Sequence, residues 1–218
     1  MVFTPSRSSS LRGMLEDTFQ RRDLVTLTAG SRVPMLRNHV WLVARGMVKL
    51  SSMNEQGEDV LLALAGPNEP FGEPLSNLDL YEATTLSDCD LLCLPMEEVQ
   101  ETPHLANTLM LALISRTRQS EALIALLGLR RVEDRVRGFL ELLAEEYGQP
   151  CDEGLRLNLR LTHQDIAGAL STTRVTVTRV LGLLREEGWL KLSAQRQLVI
   201  SNLPLSTCLL YTSDAADE

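Results

Sequence analysis

Residues 161–192 read LTHQDIAGALSTTRVTVTRVLGLLREEGWLKL, and this stretch decides the fold. Thr162 is followed three residues later by Asp165, a spacing typical of the capping box that begins a helix. A second helix start follows at Thr172 or Thr173, and it predicts a helix near residues 172–186. The sequence WLKLSAQRQLVIS at 189–201 then alternates apolar and polar residues, as hairpin strands do. Two helices across a tight turn, followed by a hairpin, predict a winged helix-turn-helix.

The predicted second helix has two faces, because successive residues of an α-helix are rotated by about 100°. The apolar face consists of Val177, Leu181 and Leu184. The opposite face consists of Arg174, Val175, Thr178 and Arg179. Guanidinium groups suit guanine O6 and N7, a small apolar group suits a thymine methyl, and hydroxyls suit phosphates. We therefore expect this face to read DNA in the major groove; the alternative is an ordinary amphipathic helix with two exposed arginines.

The chain carries a formal charge of −8, which argues against DNA binding until the charge is divided by region. Residues 154–200 contain seven basic and three acidic side chains, a net charge of +4, so the remainder carries −12. A basic module on an acidic body suits a protein that meets DNA with one face only. A solvated surface is the alternative explanation of such a basic run.

Length and composition are those of a globular protein: 218 residues, 44% hydrophobic and 23% charged, leave room for two small domains. No stretch approaches the ~20 consecutive apolar residues of a membrane span, and no basic start leads into an apolar leader. We therefore expect a cytoplasmic protein. Cys89 and Cys93 lie four residues apart on one face of a predicted strand, which favours buried small side chains over a redox or iron–sulfur site.

The pattern of apolar residues divides the chain into segments. Residues 1–12 are rich in Ser and Arg and predict a flexible lead. Residues 13–95 contain short apolar stretches separated by Gly, Pro and Asn, which predict an antiparallel β-roll with a hairpin turn at NEQGED. Residues 208–218 continue no pattern and are interpreted as a non-native tail; a short disordered tail is the alternative.

A helical pattern replaces the strand pattern at residues 96–130, where Pro103 can break the helix. Its apolar stripe consists of Leu105, Leu109, Leu113, Leu123 and Leu127. Such a helix can pack on its own domain or pair with a second copy, and its length with interruptions favours pairing. Residues 131–205 are assigned to the DNA-binding domain. The elements predicted at its start are a helix at 132–147, a loop at 148–154 and a strand at 155–161.

The sequence contains few of the patterns that indicate an enzyme. Its three histidines, His39, His104 and His163, show no His-x-His or His-x-x-x-His spacing. It contains no Gly-rich phosphate loop and no Ser-His-Asp pattern. Neither an enzyme nor a metal site is expected. An adaptor whose helix-turn-helix binds protein is the other alternative, and the two outward arginines argue against it.

At residues 161–192 the sequence resembles the DNA-binding motif of the catabolite-activator and fumarate–nitrate regulator family (CRP/FNR). Within that family STTRVTVTRVLGLLR is most similar to the cyanobacterial nitrogen regulators, where Val also replaces the more usual Glu after the first recognition arginine. The similarity extends upstream through VKLS, the PFG turn, SRTRQSEALIALL and GLRLNLRLTHQ, and covers residues 40–200. It implies an α+β fold: an N-terminal antiparallel β-roll like cyclic-nucleotide-binding domains, a long dimerisation helix and a C-terminal winged helix-turn-helix.

The resemblance also implies roles for individual residues. Base reading is assigned to Arg174, Val175 and Arg179. Phosphate or supporting contacts are assigned to Thr162, Gln164, Thr173 and Thr178. A homodimer paired through the long helix would bind a two-fold symmetric DNA site and contact RNA polymerase. Ser171 stands where relatives commonly have Gly, which weakens the turn between the two helices.

Relatives that bind cyclic nucleotides use a Phe-Gly-Glu turn for the ribose and a later arginine for the phosphate. Phe71, Gly72 and Glu73 form the turn here, but the following PLSNLDLYEATTL contains no arginine. Cyclic AMP is therefore not an expected effector, because its phosphate would lack a cation. The same gap weakens the case for 2-oxoglutarate, the effector of the nitrogen regulators.

The long helix offers Arg116, with Ser120 one turn later, as a substitute effector site. A solvated or interface charge is the favoured interpretation of Arg116. Two alternatives for the roll stay open: a degenerate roll controlled by expression level or a protein partner, and a pocket that senses 2-oxoglutarate or another small metabolite.

Overall fold

The computed structural model describes residues 22–201 apart from Gln56, Glu58 and Arg196. Over these residues the chain has the expected α+β fold: an N-terminal roll of two antiparallel sheets, connecting helices, and a C-terminal domain of helices around a small sheet. The predicted flexible lead at 1–12, the interpretation of 208–218 as a non-native tail, and Cys208 lie outside the described residues.

Seven strands build the roll. They are β1 (Val25–Leu27), β2 (His39–Arg45), β3 (Val48–Met53), β4 (Asp59–Ala65), β5 (Pro70–Phe71), β6 (Glu82–Thr85) and β7 (Cys89–Pro95). One sheet has the order β1–β7–β2–β5 and the other β4–β3–β6. Alternate side chains fill the space between the sheets, among them the fully buried Leu50, Phe71 and Leu91. Cys89 is buried in this core and Cys93 packs against it, which confirms both as small core side chains.

Two helices follow the roll. Helix α1 spans Met96–Glu101 and α2 spans Pro103–Leu127, so the helical segment is broken at the proline that the sequence marks. The predicted leucine stripe lies on one face of α2, because at about 100° per residue its five members fall within about 80° of each other. Leu109 and Leu113 pack on the outer side of the first sheet, whereas Leu127, the last residue of the helix, is exposed.

The C-terminal domain begins with α3 (Val132–Tyr147), whose bounds match the prediction. Its further elements are β8 (Gly148–Cys151), β9 (Gly154–Leu157), α4 (His163–Ala169), α5 (Arg174–Glu186), β10 (Leu190–Leu192) and β11 (Leu198–Ile200). The sheet has the order β10–β11–β9–β8. The predicted loop at 148–154 is wrong, because β8 and β9 pair as an antiparallel hairpin. The segment contains Gly, Pro and Asp, which are uncommon in strands, so its sequence does not indicate a strand. The strand predicted at 155–161 ends at Leu157.

The roll and the C-terminal domain share one apolar core. Leu61 and Leu64 of β4 belong to the same buried cluster as the inward side chains of α4 and α5. Gly168 of α4 allows this close approach, because a Cβ there would lie 2.5 Å from the carbonyl oxygen of Asp59. A glycine inside a helix destabilises it by about 1 kcal/mol relative to alanine. The close contact with β4 explains why glycine occupies this position.

Four polar side chains, here called the junction cluster, join the roll to α2 and α3: Glu69, Gln119, Glu146 and Tyr147. The Tyr147 hydroxyl donates to Glu69 Oε2 at 2.9 Å. The Gln119 amide donates to Glu146 and, at 2.7 Å, to the Tyr147 oxygen. Burial raises the pKa of Glu69, and it raises the pKa of Glu146 to about 7. Two partly buried carboxyl groups thus lie where three parts of the fold meet.

Candidate nucleic-acid interface

Thr162 begins α4, as the capping-box pattern predicts. The Asp165 amide donates to the Thr162 hydroxyl oxygen at 3.1 Å, and the Thr162 amide donates to Asp165 Oδ2 at 2.8 Å. Each side chain thereby satisfies a backbone amide that the helix alone would leave unpaired. This reciprocal pair sets where the first helix of the helix-turn-helix begins.

The turn between α4 and α5 depends on Ser171, which adopts a left-handed conformation with φ of +49°. This conformation costs a residue with a Cβ about 1 kcal/mol, whereas glycine adopts it freely. The strain that the sequence predicts from serine at this position is therefore present. The Arg135 guanidinium donates to the Leu170 carbonyl at 2.9 Å and so satisfies the end of α4.

Helix α5 spans Arg174–Glu186, and Thr173, one of the two predicted starts, is its N-cap. The Thr173 hydroxyl oxygen accepts from the Thr176 amide at 3.2 Å. At the other end, Arg137 of α3 pairs with Glu187 at 2.6 Å and stacks 4.7 Å from the centre of the Trp189 ring. Both ends of the helix are thus anchored.

The two faces of α5 are those that the sequence predicts. Its buried side chains are Val177, Val180, Leu181 and Leu184. The exposed face contains Arg174, Val175, Thr178 and Arg179. Val175 is 78% exposed, although an apolar side chain gains nothing from water. Within residues 22–201, no carboxylate forms an ion pair with Arg174 or Arg179. The two cations and the valine are therefore available to a ligand.

The hydroxyl groups assigned to phosphate or supporting contacts form bonds inside the domain. Thr178 donates to the Arg174 carbonyl at 2.9 Å and is hydrogen-bonded to His163 Nδ1 at 2.8 Å. Thr162 and Thr173 cap the two helices. These bonds suit the supporting role, while contact with phosphate stays a prediction.

A cleft of about 430 Å³ lies at the start of α4, and it is lined by Thr162, His163, Gln164 and Arg174. The structure thus brings Thr162, Gln164 and Arg174 together, as the assigned roles require. His163 is not predicted from the sequence, because a histidine outside any metal-ligand spacing matches no motif. Its position beside Gln164, at the exposed start of a helix, is the signal that could have identified it.

Lys49 of β3 lies between two carboxylates from different domains. Its Nζ is 2.7 Å from Asp59 Oδ2 in the roll and 2.8 Å from Asp165 Oδ1 in α4. Burial disfavours the Lys49 ammonium, but hydrogen bonds to Asp165 and Asp59 outweigh it and hold its pKa above the ordinary value. Burial likewise opposes ionisation of Asp165, but hydrogen bonds from Lys49 and Thr162 lower its pKa overall. Sequence reasoning missed this pair, because 116 positions separate its members.

The Phe71–Glu73 turn is present, but its side chains are already engaged. Phe71 is buried in the roll core. Gly72 has φ of +150°, and a Cβ there would lie 2.5 Å from the His39 carbonyl oxygen, so only glycine fits. The Glu73 carboxylate accepts from the Asn38 amide at 3.2 Å. The role of Phe71, Gly72 and Glu73 in binding an effector stays a prediction.

Arg116 of α2 points into the roll. Its guanidinium donates to the Pro70 carbonyl at 2.9 Å and to the Tyr81 hydroxyl at 3.2 Å. Arg116 is half-buried and lies beside the Phe71–Glu73 turn, and its interpretation as a solvated or interface charge stays a prediction. Ser120, half-buried, follows one turn later on the same helix.

The described part of the chain contains neither a cluster of metal-binding side chains nor a helix able to span a membrane. Among those residues, no group of three or more His, Cys, Asp or Glu side chains is arranged to hold a metal ion. None of the helices described there is long and apolar enough to cross a membrane.

The fold and this exposed basic helix define a winged-helix DNA-binding protein that carries a β-roll. Residues 134–205 match the family model of the Crp-like helix-turn-helix domain, and residues 35–102 match that of the cyclic nucleotide-binding domain. The chain belongs to the CRP/FNR family of transcription regulators. It is a DNA-binding regulator, as the sequence predicts.

Named relatives support this placement. The chain is 38% identical over 177 residues to the global nitrogen regulator of Synechococcus elongatus, which covers 77% of this chain and 79% of that protein. It is 37% identical over 159 residues to the regulatory protein CysR of the same organism, covering 72% and 73%. A CRP/FNR-family transcriptional regulator of Thermus thermophilus, TTHA1359, superposes with a TM-score of 0.67 at 26% identity, covering 83% and 94%. The predicted similarity to cyanobacterial nitrogen regulators is confirmed.

Proposed function

We propose that the regulator binds DNA as a homodimer and reads a two-fold symmetric site with α5 of each protomer. Arg174, Val175 and Arg179 contact base edges, and Thr162, Gln164, Thr173 and Thr178 contact phosphates or support the contacts. The observation that carries the proposal is the exposed face of α5, where 78% of Val175 is open to solvent between two exposed arginines. Such a face gains binding energy only when a partner with a matching edge covers it.

The homodimer is inferred from an uncovered apolar face of α2. Met110, Ile114 and Ile124 are exposed, and with Thr117 and Glu121 they follow alternating spacings of four and three. This spacing is that of a two-helix seam. A second copy of α2 would cover the face and would place two α5 helices about a two-fold axis, as a symmetric DNA site requires.

A gel shift at two salt concentrations tests DNA binding. If the protein contacts several phosphates, its affinity should fall by orders of magnitude as salt rises from about 50 to 200 mM, since binding releases cations from the DNA. Arg174→Ala should reduce affinity for the specific site about 10-fold or more. Arg45→Ala is the matched control, because Arg45 is an exposed arginine of the roll paired with Asp90. An affinity that does not change with salt, or an equal loss of affinity in both variants, would contradict the proposal.

A second candidate function concerns the roll, and the position of Arg116 favours it. A partly buried guanidinium beside the Phe71–Glu73 turn supplies the cation that the stretch after Glu73 lacks. The ligand would be a small anionic metabolite such as 2-oxoglutarate, held by Arg116 with Ser120 nearby. Cyclic AMP stays the less suitable effector, because its phosphate meets no cation in the stretch of sequence after Glu73.

Calorimetry with cyclic AMP and with 2-oxoglutarate tests the effector. A micromolar heat signal with 2-oxoglutarate that Arg116→Met abolishes would support a sensing roll. No signal with either compound would support a roll without these effectors, and a signal with cyclic AMP would contradict the proposal.

The proposed role has two further consequences. The protein would act in the cytoplasm, where a bacterial chromosome lies, and would contact RNA polymerase at promoters. In vitro transcription from a template that carries its site, with and without the regulator, tests the second consequence. Unchanged transcript levels would contradict it.

A further inference from the structure

Asp165 serves two parts of the molecule at once. Its Oδ2 accepts from the amide and the hydroxyl of Thr162, at 2.8 and 2.6 Å, and so completes the capping box of α4. Its Oδ1 accepts from Lys49 Nζ, which belongs to the roll. One carboxylate therefore links the sensor sheet to the residue that begins the first helix of the helix-turn-helix.

The link is partly shielded from water. The side chains of Lys49 and Asp165 are 15% and 9% exposed, whereas that of Asp59, the other partner of Lys49, is 46% exposed. Loss of the lysine charge would leave the Asp165 carboxylate without its cation beside the cleft that Thr162 lines. An unpaired, shielded carboxylate is costly, so loss of the Lys49 charge weakens the docked arrangement of α4 on the roll.

A second contact lies one helical turn further along α4. Gly168 packs so closely on β4 that a Cβ would meet the Asp59 carbonyl oxygen at 2.5 Å and the Leu61 nitrogen at 3.6 Å. The ion pair and this backbone contact hold α4 at two points. Because α5 packs on α4, two fixed points determine where the roll places the reading helix.

The contact leaves the reading face free. With α4 docked on the roll, Val175 is 78% exposed, and Arg174 and Arg179 are exposed as well. The docked arrangement therefore leaves the reading face of α5 uncovered.

We propose that Lys49 is a positioning residue, which fixes the helix-turn-helix on the roll so that both protomers of a dimer present α5 to one symmetric site. This inference rests on the proposed function. A single half-site needs one reading helix in any orientation, whereas the full site needs two helices in register. Lys49 should therefore strengthen binding to the full site and leave binding to a half-site nearly unchanged.

The test compares the intact dimer on two duplexes, a selected full site and a single half-site, by fluorescence anisotropy. Lys49→Met keeps the aliphatic stem and removes the charge; Lys49→Arg restores it. If each protomer loses about 5-fold in the population of the docked orientation, full-site affinity falls about 25-fold while half-site affinity changes less than about 2-fold. Lys49→Arg should return most of the full-site affinity. Arg45→Met, which removes an equal charge elsewhere on the roll, should change neither.

Gly168→Ala tests the second contact without changing charge. It should weaken full-site binding selectively, as Lys49→Met does. The half-site duplex is its internal control, because one reading helix suffices there in any orientation. Thermal unfolding of each variant shows that it is folded.

Three results would overturn the proposal. Unchanged full-site affinity in Lys49→Met would show that Lys49 does not position the helices. An equal fall on both duplexes would show that Lys49 contacts phosphate or merely stabilises the fold. Wild-type protein that binds neither duplex would overturn the proposed function and this inference with it.

Discussion

Replacing Glu146 by glutamine should stabilise the protein, and more so at high pH. Glu146 belongs to the junction cluster, where burial raises its pKa from the ordinary 4.5 to about 7. Glutamine has nearly the same shape, and its carbonyl oxygen can still accept the hydrogen bond from Gln119. The substitution therefore removes the ionisation and keeps the packing.

The magnitude follows from proton linkage. Between pH 4.5 and about 7, the folded protein holds a proton on Glu146 that the unfolded chain has released, so the free energy of unfolding falls as pH rises. Each pKa unit is worth about 1.4 kcal/mol, so ionised Glu146 destabilises the fold by about 3 kcal/mol at pH 8 and by less than about 1 kcal/mol at pH 5. Glu146→Gln should thus gain about 2 kcal/mol more at pH 8 than at pH 5.

Urea unfolding followed by tryptophan fluorescence measures this difference, at pH 5, 6.5 and 8 and at one protein concentration. Glu69, whose pKa burial also raises, is present in both proteins, so the difference between them reports on Glu146. Glu55→Gln, in the exposed hairpin turn, is the control and should show no such pH dependence. An equal difference between Glu146→Gln and wild type at every pH would refute the reasoning.

Two substitutions test the helix-turn-helix itself. Ser171→Gly should raise the free energy of unfolding by about 0.5–1 kcal/mol, because glycine relieves the left-handed strain at φ +49°; a lower melting temperature would count against this explanation. Thr173→Ala should lower the free energy of unfolding by about 1 kcal/mol through loss of the N-cap, while Thr173→Ser should be nearly neutral. Equal stability of the alanine and serine variants in thermal unfolding would disprove the capping role.

Features that depend on neighbouring residues could be predicted from the sequence. The capping box needs only Thr162 and Asp165, and the two faces of α5 need only the period of a helix. The break at Pro103 follows from a missing amide donor. In each case the deciding interaction lies within one or two helical turns, so the local pattern is sufficient.

Features that depend on distant residues could not be predicted in this way. Arg116 is held by Pro70 and Tyr81 of the roll, and a helical pattern alone cannot distinguish this arginine from a solvated one. The ion pair of Lys49 with Asp165 joins two domains that the sequence treats separately. Gly168 offered one local clue, since a glycine inside a helix is unfavourable unless another backbone comes close.

Selection of binding sites from random DNA, with wild-type protein and with Val175→Glu, tests the central claim most directly. If α5 reads bases in a symmetric dimer, wild-type protein should select a two-fold symmetric sequence. Val175→Glu should change the preferred base at one position of each half-site, because a carboxylate accepts from cytosine where valine contacts a thymine methyl. An asymmetric or absent consensus, or the same consensus for both proteins, would contradict direct reading by this helix.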